Sequence, residues 1–369
     1  MDGADNAFSR ANRFESVQSD SLTCNMVIST DGDQTVIGPG EKVNAWQERG
    51  RNYARFRSEH PGGMDFKIIS ARLVTKAFDC QGVACRLSHD PRHTYNLPVF
   101  EDAMQKAISW LSGKLGPYPY SVVQVVEKPF YDADFITFAN VTAISEAHGW
   151  TADIKNDEDG QYVYLTMARE LAKQWILASL KAADVQGAEL LTQSIAHYYA
   201  FRFMDDILGH AQTDQWLGKA YKDYEKDRAE EAIEEKPLIL VDKAAYLSRE
   251  KGGLALYALS RRIGPEIFDR WLSKWIVHAC SKETFLTSAD FYNDLKNFVP
   301  AGLHPFVRDW FERRIQYRMT INLCEAKSHD IAVTLSAVKK NHDSAGWKEI
   351  PFSSRLEIGL KDAKGRLVA

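Results

Sequence analysis

The sequence predicts an α+β protein with a long helical middle between strand-rich ends. Three observations carry this. Near the ends, apolar residues recur at every second position, as in Ile331, Val333, Leu335 and Ala337, which is the period of a half-buried strand. From about Tyr162 to Met319 they follow helical spacing almost without a break. Gly- and Pro-bearing turn sequences (TDGDQ, IGPGEK, LGPYPY) lie before that middle, where they punctuate strands and end a helix. The 369 residues suffice for two or three domains with a sizeable core.

In the first 75 or so residues, FKIISARLV and YARFRSE read as strands, and GVACRLSH is a further strand. A helix follows from about Val99 to Leu111, with Met104, Ala107, Ile108 and Leu111 on one face. Gly116-Pro117-Tyr118-Pro119-Tyr120 stops it, since Gly and two prolines do not continue a helix. SVVQVVE is then a β-branched strand. YVYLTMARELAKQWILASL is apolar on most sides and is therefore a buried helix. A second helix runs from about Ala188 to Met204. A third, WLGKAYKDYEKDRAEEAIEEK, mixes both charge signs and is a solvated surface helix. Helices near 251–262, 265–278, 287–298 and 303–317 follow, with Gly264-Pro265 as a stop and restart signal. The stripe Phe268, Trp271, Leu272, Trp275 and Ile276 has the spacing of core packing, and Trp310-Phe311 reads the same way. After Met319, DIAVTLSAV and RLEIGLKD are strands.

Composition excludes several classes. With 45% apolar and 26% charged residues, the chain is neither disordered nor collagen-like. A net charge of −4 and the absence of a basic stripe argue against nucleic acid as a partner. No run of eighteen apolar residues spans a membrane directly. No secretory signal opens the chain, so a free soluble form is expected in the cytoplasm. The five cysteines form no C-x-x-C pair and are expected to be unpaired thiols. His89-Asp90-Pro91-Arg92-His93 is a loop without a third metal ligand, because Pro91 breaks a helix.

One helix segment carries the functional inference. Arg169-Glu170-Leu171-Ala172-Lys173-Gln174-Trp175 becomes H-E-L-A-H-Q-W when Arg169 and Lys173 are replaced by histidine. That is a zinc motif, with two His at i and i+4 on one helix face and a Glu between them as general base. On the next helix, Leu191-Thr192-Gln193-Ser194-Ile195-Ala196-His197-Tyr198 stands against L-N-E-G-F-A-E-Y, with Gln193 at the third-ligand glutamate.

On these residues the chain resembles the aminopeptidase N (membrane alanyl aminopeptidase) family of zinc metallopeptidases, most of all the bacterial branch fused to ABC transporter permeases. Gly116-Pro117-Tyr118-Pro119-Tyr120 resembles the family's F-P-Y-P element. Phe138-Ala139-Asn140-Val141-Thr142-Ala143-Ile144-Ser145-Glu146 sits where the family places its substrate-binding G-A-M-E-N strand. Ala183-Asp184-Val185-Gln186-Gly187-Ala188 is similar to that branch's interhelical loop, and Arg249-Glu250-Lys251-Gly252 falls on Y-x-K-G. The resemblance covers the chain from about residue 25 and rests on order and spacing, since no motif is intact.

The resemblance implies a thermolysin-like (gluzincin) catalytic domain with a mostly helical lobe, flanked by partial β domains. The implied boundaries are a partial β saddle over 1–75, an aminopeptidase-like domain over 76–318 (small sheet 76–160, helical lobe 161–318), and the start of a β sandwich over 319–369. It also implies site roles. Glu170 keeps the general-base position, and Arg249 replaces the tyrosine that stabilises the oxyanion. Asn140 and Ala139 fall on the substrate strand, and Arg169, Lys173 and Gln193 replace the zinc ligands, with His197 nearby. Nineteen residues separate Lys173 from Gln193, one more than the commonest form.

Arg and Lys repel a dication and offer it no lone pair, so no zinc cofactor is expected. The chain is then a pseudo-peptidase, with a peptide or a carboxylate as the ligand of its cleft and a membrane transporter as the partner the resemblance suggests. Such a partner would tie the chain to a membrane. Lys173, three residues from Glu170 on one face, is placed to pair with it; the alternative partner is Arg169. Two other readings stand beside this one: an active zinc aminopeptidase in which Glu170 and His197 recruit metal, and a truncated remnant without activity.

Overall fold

The computed structural model describes residues 2–14, 23–58, 67–129, 135–154, 157–230, 235–281, 284–327, 330–343, 346–352 and 359. They form two compact units, Met1–Leu295 and Lys296–Ala369.

The first unit opens with a short helix, α1 (Ala7–Arg10), capped by the Asn6 side chain. Strand pairing begins at β1 (Asn25–Asp31), not at residue 1. Residues 2–14 instead run against the loop near Val185: Asp2 bridges Val185, Arg13 bridges Ala183, and the Phe14 N–H donates to the Ala182 carbonyl. β2 (Thr35–Ile37), β3 (Glu41–Glu48), β4 (Arg51–Arg57) and β5 (Ile69–Ala71) follow. β1, β4 and β3 make an antiparallel sheet in that order, and β2 pairs with β5. Val36, Ala54 and Phe56 fill the small core beneath them.

β6 (Val74–Cys80), β7 (Val83–His89), β8 (Val122–Lys128), β9 (Phe135–Phe138) and β10 (Val141–Ser145) build a five-stranded sheet ordered β6-β7-β8-β10-β9. β7, β8 and β10 run parallel, and β9 returns antiparallel as an edge. All seven residues of β8 are buried, as a strand covered on both faces requires. α2 (Leu97–Leu115) begins with Pro98 in its first turn and ends at Gly116, whose φ is 87°.

The cysteine expectation is overturned here: Cys80 and Cys85 form a disulfide. The β6–β7 hairpin turns on Gln81 and Gly82, both at positive φ. Its register sets Cys80 opposite Val83 and Phe78 opposite Cys85. The two cysteine Cα atoms are thus 6.1 Å apart, within disulfide reach. Five-residue spacing looks unpaired in sequence; a two-residue turn makes it adjacent.

The helical part comprises α3 (Asp157–Ser179), α4 (Ile195–Ile207), α5 (His210–Glu230), α6 (Gly252–Ile263), α7 (Pro265–Cys280) and α8 (Ser288–Phe298). α3 is central, and Met167, Ala168, Leu171, Ala172 and Ile176 are fully buried. Two π-helical turns interrupt the run, Leu190–Ser194 before α4 and Tyr246–Lys251 before α6. A π turn holds one residue more than an α turn over the same height, which accommodates the nineteen-residue spacing between Lys173 and Gln193.

In the second unit, α9 (His304–Phe311) is shorter than the helix expected over 303–317. β11 (Arg314–Lys327) starts at once, pairs with β12 (Asp330–Asp343), and β12 pairs with β13 (Gly346–Ile350). The alternation of Ile315, Tyr317, Met319 and Ile321 gives the strand its period. The helix expectation overran because Trp310-Phe311 lent apolar weight to its end. Lys339 and Asp309 form a buried ion pair. The strand expected at RLEIGLKD lies outside the described residues.

Candidate functional site

α3 carries Arg169 and Glu170 inward, toward the β9 edge. Glu170 is 2% exposed, and both its oxygens are engaged. Oε1 accepts from Arg169 Nε at 2.7 Å and Oε2 from Thr137 Oγ1 at 2.6 Å. Lys173 Nζ stands 3.8 Å from Oε2. Glu170 therefore has both of the partners foreseen for it, with Arg169 the closer. Burial alone would raise the Glu170 carboxyl, but the charges of Lys173 and Arg169 and the two hydrogen bonds outweigh it and hold it down at about 2.

A chain of hydrogen bonds orders Glu170 from behind. Tyr118 Oη donates to Gln174 Oε1 at 2.5 Å, and Gln174 Nε2 donates to Thr142 Oγ1 at 3.1 Å. Thr137 spends its only proton on Glu170, so the 3.2 Å contact between Thr142 and Thr137 runs from Thr142 as donor. The Gly116–Tyr120 element is thereby linked to Glu170 through buried Gln174 and Thr142 and half-buried Thr137.

Arg169 lies over the Phe135 ring, with Cζ 4.8 Å from its centroid. Its Nη2 is buried without a hydrogen-bond partner. Across from it, His197 on α4 is 2% exposed, and both ring nitrogens lack partners. Burial, then the charges of Arg169 and Arg249, push the imidazole pKa well down, so the ring is neutral at pH 7. Gly253 lets α6 close on this ring: a Cβ there would meet His197 Cδ2 at 2.9 Å.

Arg249 and Glu250 come from the π turn Tyr246–Lys251. Glu250 Oε2 is 3.8 Å from His197 Nε2, and Oε1 is 3.8 Å from Arg249 Nε. Arg249 Nε is itself buried and unpartnered. Burial raises the Glu250 carboxyl, against the pull of Arg249 and Arg169. Lys251, next along, is buried on Glu235, which also accepts from Arg228 and Tyr224 and pins the turn.

The site thus brings together Arg169, Glu170, Lys173, His197 and Arg249. It does not bring in the others. Gln193 sits half-buried in the first π turn, and among the described residues no hydrogen bond or ion pair links it to Glu170 or His197. Asn140 is fully buried and faces elsewhere: its Oδ1 accepts from Gly40 N at 2.8 Å, and its Nδ2 donates to Val122 O at 3.1 Å and Gly40 O at 3.2 Å. With Ala139, at φ 42°, it forms the two-residue turn between β9 and β10. The edge residue that hydrogen-bonds to α3 is Thr137. Sequence reasoning missed it, as it missed Glu250. An Ala-Asn turn before VTAIS was the available signal, since Asn favours hairpin turns and would have set FITF as the edge strand.

The fit to zinc is poor. Among the described residues, no group of three His, Cys, Asp or Glu is placed to hold a metal. Glu170 has spent both oxygens on cations and a hydroxyl, and two fixed cations stand beside it. The His89–His93 loop is structural: His93 Nδ1 contacts Glu127 Oε1 at 2.5 Å, and the Asp90 N–H donates to Glu127 Oε2. It borders a separate cavity of about 570 Å³ at the carboxyl ends of β7, β8 and β10, lined among others by Arg72, Asp90, Arg92, Glu127 and Glu146.

The fold resembles that of M1 zinc metallopeptidases. The fold resembles the enzyme of this class from Deinococcus radiodurans, with a TM-score of 0.60 at 16% identity, over 80% of this chain and 65% of that one. A mutant of that enzyme bound to a Tyr-Ser-Ala substrate gives 0.60 at 17% identity, over 80% and 65%. A two-domain M1 zinc metallopeptidase mutant bound to L-arginine gives 0.59 at 16%, over 80% and 65%. The chain thus spans just under two thirds of the length of these proteins. No protein-family description and no curated protein matches the sequence.

Proposed function

We propose that this chain is an aminopeptidase N-like pseudo-peptidase that works without zinc and keeps its cleft for a peptide or a partner protein. The observation that carries this is the state of Glu170. A general base needs a pKa near the working pH and a free oxygen toward water. Glu170 is held at about 2, with both oxygens bonded. Arg169, at a ligand position, is its closer cation, and Arg249 falls on the oxyanion-donor position of the resemblance. β9, the half-buried edge strand that carries Phe135 and Thr137, is the place in the sheet where an extended peptide would add. A tie to a membrane transporter rests on the resemblance alone.

No helix among the described residues is long and apolar enough to cross a membrane. The Cys80–Cys85 disulfide favours an oxidising compartment over the cytoplasm.

Elemental analysis of the purified chain tests the reading, beside the variant Arg169→His, Lys173→His, Gln193→Glu. The expected result is no zinc in the wild type, and zinc in the variant only where residue 193 comes within reach of the two restored histidines. Stoichiometric zinc in the wild type, lost on His197→Ala, would overturn it in favour of an active metallo-aminopeptidase.

A further inference from the structure

We propose that the corner between Arg169, His197 and Arg249 is a carboxylate-binding site, and that the ligand of the cleft enters it carboxylate first. This rests on the pseudo-peptidase reading and gives its ligand a chemical class. Three elements converge there: α3 supplies Arg169, α4 supplies His197, and the π turn supplies Arg249. Each brings a buried polar nitrogen with no partner: Arg169 Nη2, Arg249 Nε and the ring nitrogens of His197. Buried donors are nearly always satisfied, so Arg169 Nη2, Arg249 Nε and the single N–H of the neutral His197 ring, on which both arginine charges act, are the mark of a missing acceptor. Arg169 and His197 are both more than nine-tenths buried.

The charges agree. Three cations (Arg169, Lys173, Arg249) face two carboxylates (Glu170, Glu250). Glu170 is saturated by its own neighbours. Glu250 balances charge but satisfies nobody, because 3.8 Å to both His197 and Arg249 is beyond hydrogen-bonding distance. Asp223 and Asp227, on α5, also act on Glu250, but Asp227 is exposed and Asp223 only half-buried, so water screens them. One positive charge and several donors are left for an anion with two oxygens, the shape that arginine pairs bind best. Arg249, 35% exposed, marks the side from which that anion arrives.

A peptide's C-terminus and an acidic side chain share this chemistry, and calorimetric titration of the full chain separates them. The probes are N-acetyl-Ala-Ala-Ala as free acid, its C-terminal amide, and N-acetyl-Ala-Glu-Ala amide. The free acid is expected to bind at least tenfold tighter than the alanine amide. A Glu-containing amide that matches the acid assigns the site to acidic side chains; one that matches the alanine amide assigns it to C-termini. Arg249→Gln should erase the preference while the melting temperature stays. Glu250→Gln, which removes the competing carboxylate, should tighten the acid several-fold. Equal binding of acid and amide, or an unchanged preference in Arg249→Gln, overturns the carboxylate site and leaves the pseudo-peptidase cleft standing. Stoichiometric zinc or hydrolysis of unblocked peptides overturns the underlying reading instead, whatever the preference.

Discussion

On the α3–β9 side of the site, Glu170 has two hydrogen bonds, two cations and, behind Thr137, a relay of three buried groups. On the α4–π-turn side, His197 and Arg249 keep orphan nitrogens, and their nearest carboxylate stays 3.8 Å away. Both sides reach into the interior, through Glu170 and His197, and both carry charge where the resemblance places zinc chemistry. The difference teaches that burial and charge do not mark a working site by themselves. A saturated cluster is a structural joint. An unsaturated one, held rigid by its neighbours, is the place where a ligand gains free energy.

The comparison can be broken most directly at its saturated side. Glu170→Ala leaves Arg169 buried without its ion pair. Removing one partner of a buried pair costs about 3–5 kcal/mol, so a large drop should appear in chemical denaturation. A loss below about 1 kcal/mol would mean that Glu170 is not the joint described.

The unsaturated side answers to pH. Folding holds the His197 imidazole well below its ordinary 6.5. Below that value the unfolded chain binds a proton that the folded chain refuses, so stability falls as the pH drops from 7 to 5. The slope is up to about 1.4 kcal/mol per pH unit. Glu170 behaves otherwise: its folded value is depressed from 4.5 to about 2, so its contribution is complete above about pH 4.5 and is lost as the pH falls toward 2. Denaturation midpoints from pH 7 to 3 should therefore show two regions. His197→Gln should flatten the upper one alone, and Glu170→Gln the lower one alone.

The smallest effect sharpens the relay. Thr137→Val keeps the shape of the β9 side chain but removes the donor to Glu170 and the acceptor for Thr142. The loss of a part-buried hydrogen bond to a charged group predicts a drop of up to about 1.5–3 kcal/mol in the same denaturation assay. Thr142→Val should cost less, because its bonds are between neutral groups.

Much of the architecture was written in local patterns. The β-branched run marked β8, the long apolar stretch marked α3 and the period of 2 marked β12, because side chains alternate across a half-buried strand while a fully covered element is apolar throughout. Residue types at 169, 173 and 249 fixed the donor chemistry: guanidinium and ammonium groups carry no lone pair for a metal, wherever they point. Those readings needed no tertiary contact.

What escaped the sequence depended on which residues came to face one another across long separations. The disulfide needed the β6–β7 register. The displacement of Asn140 into a hairpin turn, and the appearance of Thr137 in its stead, followed from a two-residue loop whose position flips every side chain beyond it. Glu250 entered the site because a π turn rotates the chain ahead of α6. The sequence alone determined which charges this protein owns, and so the chemistry on which the zinc-free proposal rests. Only the tertiary structure decided which of those charges are spent and which are still open, because saturation is a property of distances between α3, α4, β9 and the π turn, and no local pattern encodes a distance between elements.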